Sequence, residues 1–161
     1  MYTGALYIAA DHGGHQLKKR LIRYIENELK LTVEDCGALE YNEADDYPDY
    51  IIPAAIKATE ANGRIIVIGG SGNGEAMAAN KVKGIRCAVC HSVWTAEFAR
   101  KDNDANGIAL GGRVLTEDHA MAIVKKWLET EFESGRHQGR IDKMSAYENE
   151  GIVPSGEHAT T

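Results

Sequence analysis

Cysteine is too scarce here for a disulfide framework: Cys36, Cys87 and Cys90 are the only three in 161 residues, and three is an odd number. Cys87 and Cys90 make a C-x-x-C, but the run IRCAVCH reads as a strand, where alternation sends residues three apart to opposite faces. The pattern argues against a zinc or redox pair and implies a reducing compartment. Long apolar runs are also missing. No stretch approaches the roughly 18 residues of a membrane-spanning helix, and MYTGALYIAADHGG has no basic segment ahead of an apolar one. A cytoplasmic, unexported protein without a membrane partner is expected. Positive charge is in deficit, 18 Lys and Arg against 24 Asp and Glu, for a net charge of −6. Nucleic acid is therefore not expected as a partner. Gly-Lys-Ser and Gly-Lys-Thr occur nowhere, which excludes a Walker loop, and no internal repeat or low-complexity segment appears.

What is present is a regular alternation of strand and helix patterns. Ala5 to Ala10 is a short apolar run, followed by Leu17, Leu21, Ile25 and Leu29 at every fourth position among charged residues, an amphipathic helix from Gly14 to Lys30. A second strand is expected over 31–36 and a long acidic loop after Gly37. Pro48 suits the first turn of the next helix, which runs to about Asn62, with Gly63 as its C-terminal cap. A central strand at Ile65 follows, then helix 75–82, strand 85–91, helix 93–101, strand 107–111 and helix 117–133. Five strands alternating with helices predict an α/β sandwich on a five-stranded parallel sheet. The length suits a single domain, with its boundary at 1–147 and a loosely ordered tail over 148–161. Ligands of such sheets bind beyond the carboxyl ends of the strands where winding reverses. If the first strand lies between the second and third, Asp11 and His12 flank that crevice together with the turn after the third strand.

That turn carries the chemistry. In IIVIGGSGNGE the residues from Ile65 read as a strand buried on both faces, and Gly69, Gly70, Gly72 and Gly74 then free the backbone to present several N–H groups to one small anion. A dinucleotide G-x-G-x-x-G would need glycine where Glu75 stands, and a carboxylate there would repel a pyrophosphate. A carboxylate in an anion-cradling turn suits acid/base work beside a developing oxyanion. It equally suits an ordinary first-turn Glu that complements the helix dipole. Near the C-terminus GRHQGRIDK puts Arg136, His137 and Arg140 on one helical face, as a site or as a solvated surface. Trp94 and Trp127 read as core or subunit interface, His119 and His158 as surface; His91 ends a strand beside the expected crevice.

Asp11-His12-Gly13-Gly14, Tyr47-Pro48-Asp49, GGSGNGE, Asn103-Asp104-Ala105-Asn106, Gly112-Arg113 and GRHQGRIDK occur in this order. Through them residues 5–147 closely resemble the type B ribose-5-phosphate isomerases of the ribose/galactose isomerase family. The resemblance implies a three-layer Rossmann-like fold and an aldose–ketose sugar-phosphate isomerase that uses no metal and no cofactor. It also implies a homodimer or dimer of dimers with each site shared between subunits. Position by position it implies Glu75 as the base that moves a proton between C2 and C1 through a cis-enediol. The backbone N–H groups of Gly70, Gly72, Asn73 and Gly74 would stabilise the enediolate, and Ser71 would exchange protons between O1 and O2. Asp11 would hold sugar hydroxyls, Tyr47 would line the sugar pocket and Asn103 would bind substrate. His12, Arg113, Arg136 and Arg140, assisted by His137, would contact the phosphate.

The chain departs from the family at Asp102, where a ring-opening histidine usually precedes Asn103-Asp104. An aspartate accepts a proton but donates one poorly near pH 7, its reference pKa being about 3.9. Either another group opens the ring, with His12 and His137 as candidates, or the substrate does not need opening, as with erythrose 4-phosphate. A four-carbon sugar-phosphate isomerase is therefore the alternative. A non-catalytic, flavodoxin-like phosphate or nucleotide binder is a third reading, which would leave Glu75 without a use.

Overall fold

The computed structural model describes residues 1–156. Its elements follow the expected alternation: β1 (Leu6–Ala10), α1 (His15–Asn27), β2 (Glu34–Asp35), α2 (Pro48–Glu60), β3 (Arg64–Gly69), α3 (Asn73–Ala79), β4 (Cys87–Val89), α4 (Val93–Lys101), β5 (Gly107–Gly111), α5 (Glu117–Glu129) and α6 (Arg136–Glu150). All strand pairings are parallel, in the order β2-β1-β3-β5-β4. β1 does lie between β2 and β3, so the winding reverses between β1 and β3.

Helices cover both faces, which makes three layers. One face of the sheet, through Ile8, Ile66, Ile68, Ile108 and Leu110, packs against Leu21 and Ile25 of α1, Ala96 and Ala99 of α4, and Ile123, Val124 and Trp127 of α5. On the other face Ile65, Val67 and Ala109 meet Ile51, Ala54, Ala55 and Ala58 of α2 and Ala76 and Ala79 of α3. The small residues of α2 and α3 let those helices come close to the strands. Cys90 packs into the first core and Cys87 against the second, the opposite faces that strand alternation predicts. Burial pushes the Cys90 thiol up to about 11 and the Cys87 thiol further.

Several boundaries differ from expectation: α1 is His15–Asn27 rather than Gly14 to Lys30, α3 is Asn73–Ala79 rather than 75–82, and β4 keeps only Cys87–Val89 of 85–91. Only Glu34 and Asp35 of the second strand pair with β1, because the chain before them closes α1: Lys30 turns at φ +57° and the Leu31 N–H donates to the Ile25 carbonyl. Helix α5 stops at Glu129 rather than 133, since Thr130 is extended and its hydroxyl donates to the Lys126 carbonyl, 2.7 Å away. The tail begins later than 148, because α6 continues to Glu150 and ends at Gly151, in the left-handed region at φ +69°. His158 and the rest of 157–161 lie outside the described residues. No helix among the described residues is long and apolar enough to cross a membrane.

Trp127 ties α5 to the sheet. Fully buried, it donates from Nε1 to the Ala105 carbonyl at 3.1 Å, and its own carbonyl accepts from the Arg64 guanidinium at 3.2 Å. That guanidinium lies between the Tyr2 and Trp127 rings, 4.1 and 5.2 Å from their centroids, and burial lowers its pKa to about 10. Trp94, by contrast, is 65% exposed and stacks on Phe98. Trp127→Ala is expected to destabilise the protein by about 3–5 kcal/mol, read as a lower urea midpoint by far-UV circular dichroism, because it opens a cavity and uncovers Arg64.

Candidate active site

The register of β1, β3 and β5 sets their carboxyl ends level, with Ala10 beside Ile68 and Gly69 beside Gly111. Their three loops therefore meet, and they meet through backbone. The Gly112 N–H donates to the Gly69 carbonyl at 2.7 Å and the Arg113 N–H to the Gly70 carbonyl at 3.0 Å. A Cβ at Gly13 would stand 2.7 Å from the Gly70 nitrogen, and one at Gly112 would stand 2.5 Å from the Gly13 oxygen. Only glycine lets the loops approach this closely.

Glu75 projects into this junction. The turn passes through Gly72 at φ +85° and α3 begins at Asn73, so the carboxylate belongs to the first helical turn. It is not a solvated partner of the dipole, for Glu75 is 4% exposed and its side chain lies against Gly69. Burial raises its pKa above the usual carboxylate range, and Asp11 adds to this; the backbone N–H groups of Glu75 itself and of Gly72 pull the other way. The Asn73 N–H donates to Ser71 Oγ at 3.2 Å, whereas the N–H groups of Gly70 and Ser71 donate to nothing among the described residues. The Tyr47 ring packs over Gly74, whose Cβ would lie 2.7 Å from Cζ. Tyr47, Gly70, Ser71, Gly74, Glu75 and Arg113 line a cavity of about 440 Å³.

A second cavity of about 460 Å³ adjoins the first, and Arg113 borders both. His12, Gly13, His15 and Gln16 line it at the N-terminus of α1, where no side chain caps the helix. Its free N–H groups and dipole favour an anion. Asp11, 7% exposed, accepts the Gly13 N–H at 2.9 Å. His12 has its Nδ1 2.7 Å from Asp45 Oδ1; that hydrogen bond raises its pKa, with Asp11 contributing, against partial desolvation and the charge of Arg113. Asp45 is a residue the sequence did not single out. His91 is another neighbour, its Nε2 3.2 Å from the Ser71 carbonyl.

The remaining expected residues form a separate group. Asp102, Asn103, Arg136, His137 and Arg140 line neither cavity at Glu75. His137, 5% exposed, has Nε2 3.4 Å from Asp102 Oδ1 and Nδ1 3.4 Å from the Arg140 guanidinium. Asn103 borders another cavity, of about 700 Å³, with Lys83, Arg86, Met144 and Tyr147. Helix α6 buries only His137 and Ile141 and leaves Arg136 and Arg140 exposed. One chain thus brings Asp11, His12, Tyr47, Gly70, Ser71, Gly72, Asn73, Gly74, Glu75 and Arg113 together, and holds the other five residues apart. Two acidic–histidine groups, Asp11/His12/Asp45 and Asp102/Glu133/His137, have ligating atoms close enough for a cation. In each, a ring nitrogen already faces a carboxylate, so a cation would compete with a contact in place.

Fold and junction define an open α/β protein with a buried carboxylate at the carboxyl edge of its sheet. The family model of the ribose/galactose isomerases matches residues 6–144. The chain belongs to that family. It is 45% identical over 151 residues to ribose-5-phosphate isomerase B of Mycobacterium tuberculosis, covering 92% of this chain and 93% of that one. Among solved structures, ribose-5-phosphate isomerase B of Mycoplasma genitalium with bound ribulose-5-phosphate superposes with a TM-score of 0.89 at 38% identity, over 93% of this chain and 99% of that one. The Clostridium thermocellum ribose-5-phosphate isomerase B superposes at 0.85 and 41% identity, over 92% and 99%.

The raised pKa of Glu75 has a consequence for stability. Between its unfolded and folded pKa values the native state holds the proton that the unfolded state has lost, so stability falls as pH rises through that window. Glu75→Gln removes the buried charge and is expected to raise the thermal midpoint at pH 7, with the gain shrinking as pH is lowered below the folded pKa.

Proposed function

We propose that this protein interconverts ribose 5-phosphate and ribulose 5-phosphate, with Glu75 as the base, acting in one domain over 1–147. The observation that carries the proposal is the buried carboxylate among unpaired backbone amides, in a family whose Mycoplasma genitalium member has been solved with ribulose-5-phosphate bound. Glu75 takes the proton from C2 of the open-chain aldose; the electron pair forms the C1–C2 double bond and the carbonyl oxygen becomes the enediolate. Returning the proton to C1 yields the ketose. Burial makes Glu75 a stronger base than a solvated carboxylate, bringing it nearer the working pH. The amides of Gly70 and Ser71 are free to receive the developing charge, a contribution of about 3–4 kcal/mol per donor in other enzymes. The amides of Gly72 and Asn73 already have partners nearby, so they rank below these two. Ser71 Oγ exchanges the proton between O1 and O2, Asp11 holds sugar hydroxyls and Tyr47 closes the sugar cavity. Arg113, bordering both cavities, sets the phosphate end beside His12 and the N-terminus of α1.

The separate group just after α4 and on α6 supports a homodimeric reading, in which Asn103, Arg136, His137 and Arg140 complete a site on a second subunit. Exposed guanidiniums in a fork geometry suit a phosphate. Under this arrangement Glu75→Gln and Arg140→Ala, each inactive alone, are expected to recover about a quarter of the wild-type activity when refolded together, since a mixed dimer regains one intact site in two. No recovery would put the whole site within one chain.

Substrate choice turns on Asp102, because a carboxyl group standing where the family has a histidine is a poor donor to a ring oxygen. The deciding measurement is kcat/KM for ribose 5-phosphate against erythrose 4-phosphate, with Asp102→His assayed alongside. Ribose 5-phosphate is expected to win clearly and to gain from Asp102→His. A preference for erythrose 4-phosphate, with Asp102→His raising only the ribose activity, would move the function to four-carbon sugars. Tight sugar-phosphate binding by both wild type and Glu75→Gln, without turnover in either, would make the protein a binder.

A further inference from the structure

Asp45 sits in an acidic loop whose neighbours Tyr41 to Ala44 and Asp46 are exposed, yet its own side chain is only 3% exposed. A carboxylate withdrawn from water in an otherwise solvated loop is costly unless something answers it. What answers it most closely is His12. Oδ1 accepts the His12 backbone N–H at 3.0 Å and faces His12 Nδ1 at 2.7 Å, while Oδ2 is buried with no hydrogen-bond partner among the described residues. Asp11 holds the ring far less closely, since its Oδ1 accepts the Gly13 N–H and its Oδ2 stands 4.0 Å from His12 Nδ1.

The loop is itself anchored at its base. Lys18, fully buried on α1, donates to Asp35 Oδ1 and to the Ala38 carbonyl, each at 2.6 Å, and His15 Nδ1 meets the same carbonyl at 3.2 Å. Lys18 thereby fixes where the segment leaves the sheet, and Asp45 fixes where it returns to β1. Tyr41, at the middle, places its ring edge-on to His12 with centroids 6.4 Å apart.

We propose that Asp45 is a positioning residue that locks the His12 ring with its Nδ1 edge inward, leaving Nε2–H to meet the substrate phosphate in the cavity shared with Arg113. An ionised carboxylate accepts only, so the proton on Nδ1 is fixed. Neutral His12 would then offer a lone pair from Nε2 and repel a phosphate; the imidazolium offers a donor. Asp45 and Asp11 favour the imidazolium, while Arg113 and partial desolvation oppose it, and Asp45 is the strongest of the four. Asp45 itself faces His12 and, more loosely, Tyr50, whose phenol is raised by burial and by Asp45, Asp49 and Asp11.

This inference rests on the sugar-phosphate reading above, and its test is separable from that reading. In the full-length protein without substrate, the His12 ring is titrated by NMR in wild type and Asp45→Asn. The wild-type value is expected above the ordinary histidine range and that of the variant below it. With ribose 5-phosphate, Asp45→Asn is expected to raise KM about tenfold while changing kcat far less, and to weaken competitive inhibition by inorganic phosphate in parallel. The alkaline rise of KM should move to lower pH, Asp45→Glu should restore part of the affinity, and Asp45→Asn should add nothing in a His12→Asn background. An unraised wild-type His12, an unchanged KM in Asp45→Asn, or additive effects in the double variant would each overturn the proposal. Should Asp45→Asn fail to fold, the wild-type titration and the Asp45→Glu kinetics still decide. Absence of turnover in the wild type would defeat the isomerase reading alone, leaving the His12 titration to judge Asp45.

Discussion

Backbone touching backbone, at the level of Gly13, Gly70 and Gly112, is the contact on which the rest of this structure depends. The three loops leave adjacent strands at the same height, and the sheet spacing of about 4.8 Å leaves no room between them for side chains. The junction glycines therefore carry no functional group themselves, and the side chains come from the residues beside them. Glu75 lies under the turn, Asp11 and His12 on one flank and Arg113 on another. The parallel register sets the distances among these groups, and it is held by two apolar cores rather than by the polar groups themselves. A methyl group at the junction would separate the acid from the cations before it disturbed either core.

The electrostatics follow from burial more than from net charge. An acidic chain places two carboxylates, Asp11 and Glu75, near one another in a region where water is largely excluded, and this favours a proton on the more buried of them. The opposing pull comes from backbone amides, which are fixed by the turn and do not move with pH. Desolvation is the larger influence on Glu75. For His12 the order is reversed, a hydrogen-bonded carboxylate outweighing partial desolvation. Two titratable groups, lining separate cavities that share Arg113, are thus pushed to higher pKa for different reasons, one by losing water and one by gaining a partner.

Much of this is legible in the sequence because it is local in the chain. The limits of α4 and β5, the strand ahead of the glycine turn, and the pairing of Asp11-His12 with that turn all follow from patterns spanning a few residues. The second strand is shorter than its composition suggests, since nothing in LTVEDC shows that its first residues are needed to close the preceding helix. The site is legible where a motif carries it and opaque where a partner lies far off. Asp45 reaches a histidine 33 positions away and Lys18 a carbonyl 20 positions away, from segments that look like solvated loop and amphipathic helix. His91 reads as a strand end, and only the fold brings it to Ser71. Resemblance to a family names Arg136, His137 and Arg140 as functional, but spacing alone does not say that they stand apart from Glu75.

The choice of base also bears on how this site meets oxidants. The base proposed for this site is a carboxylate, and no cysteine lines the cavity around it, so peroxide or an alkylating reagent meets no thiol there. All three thiols are raised by burial, so near neutral pH each is held in its unreactive protonated form. Under the proposed assignment, oxidation of a cysteine would leave the proton-transferring group itself unchanged.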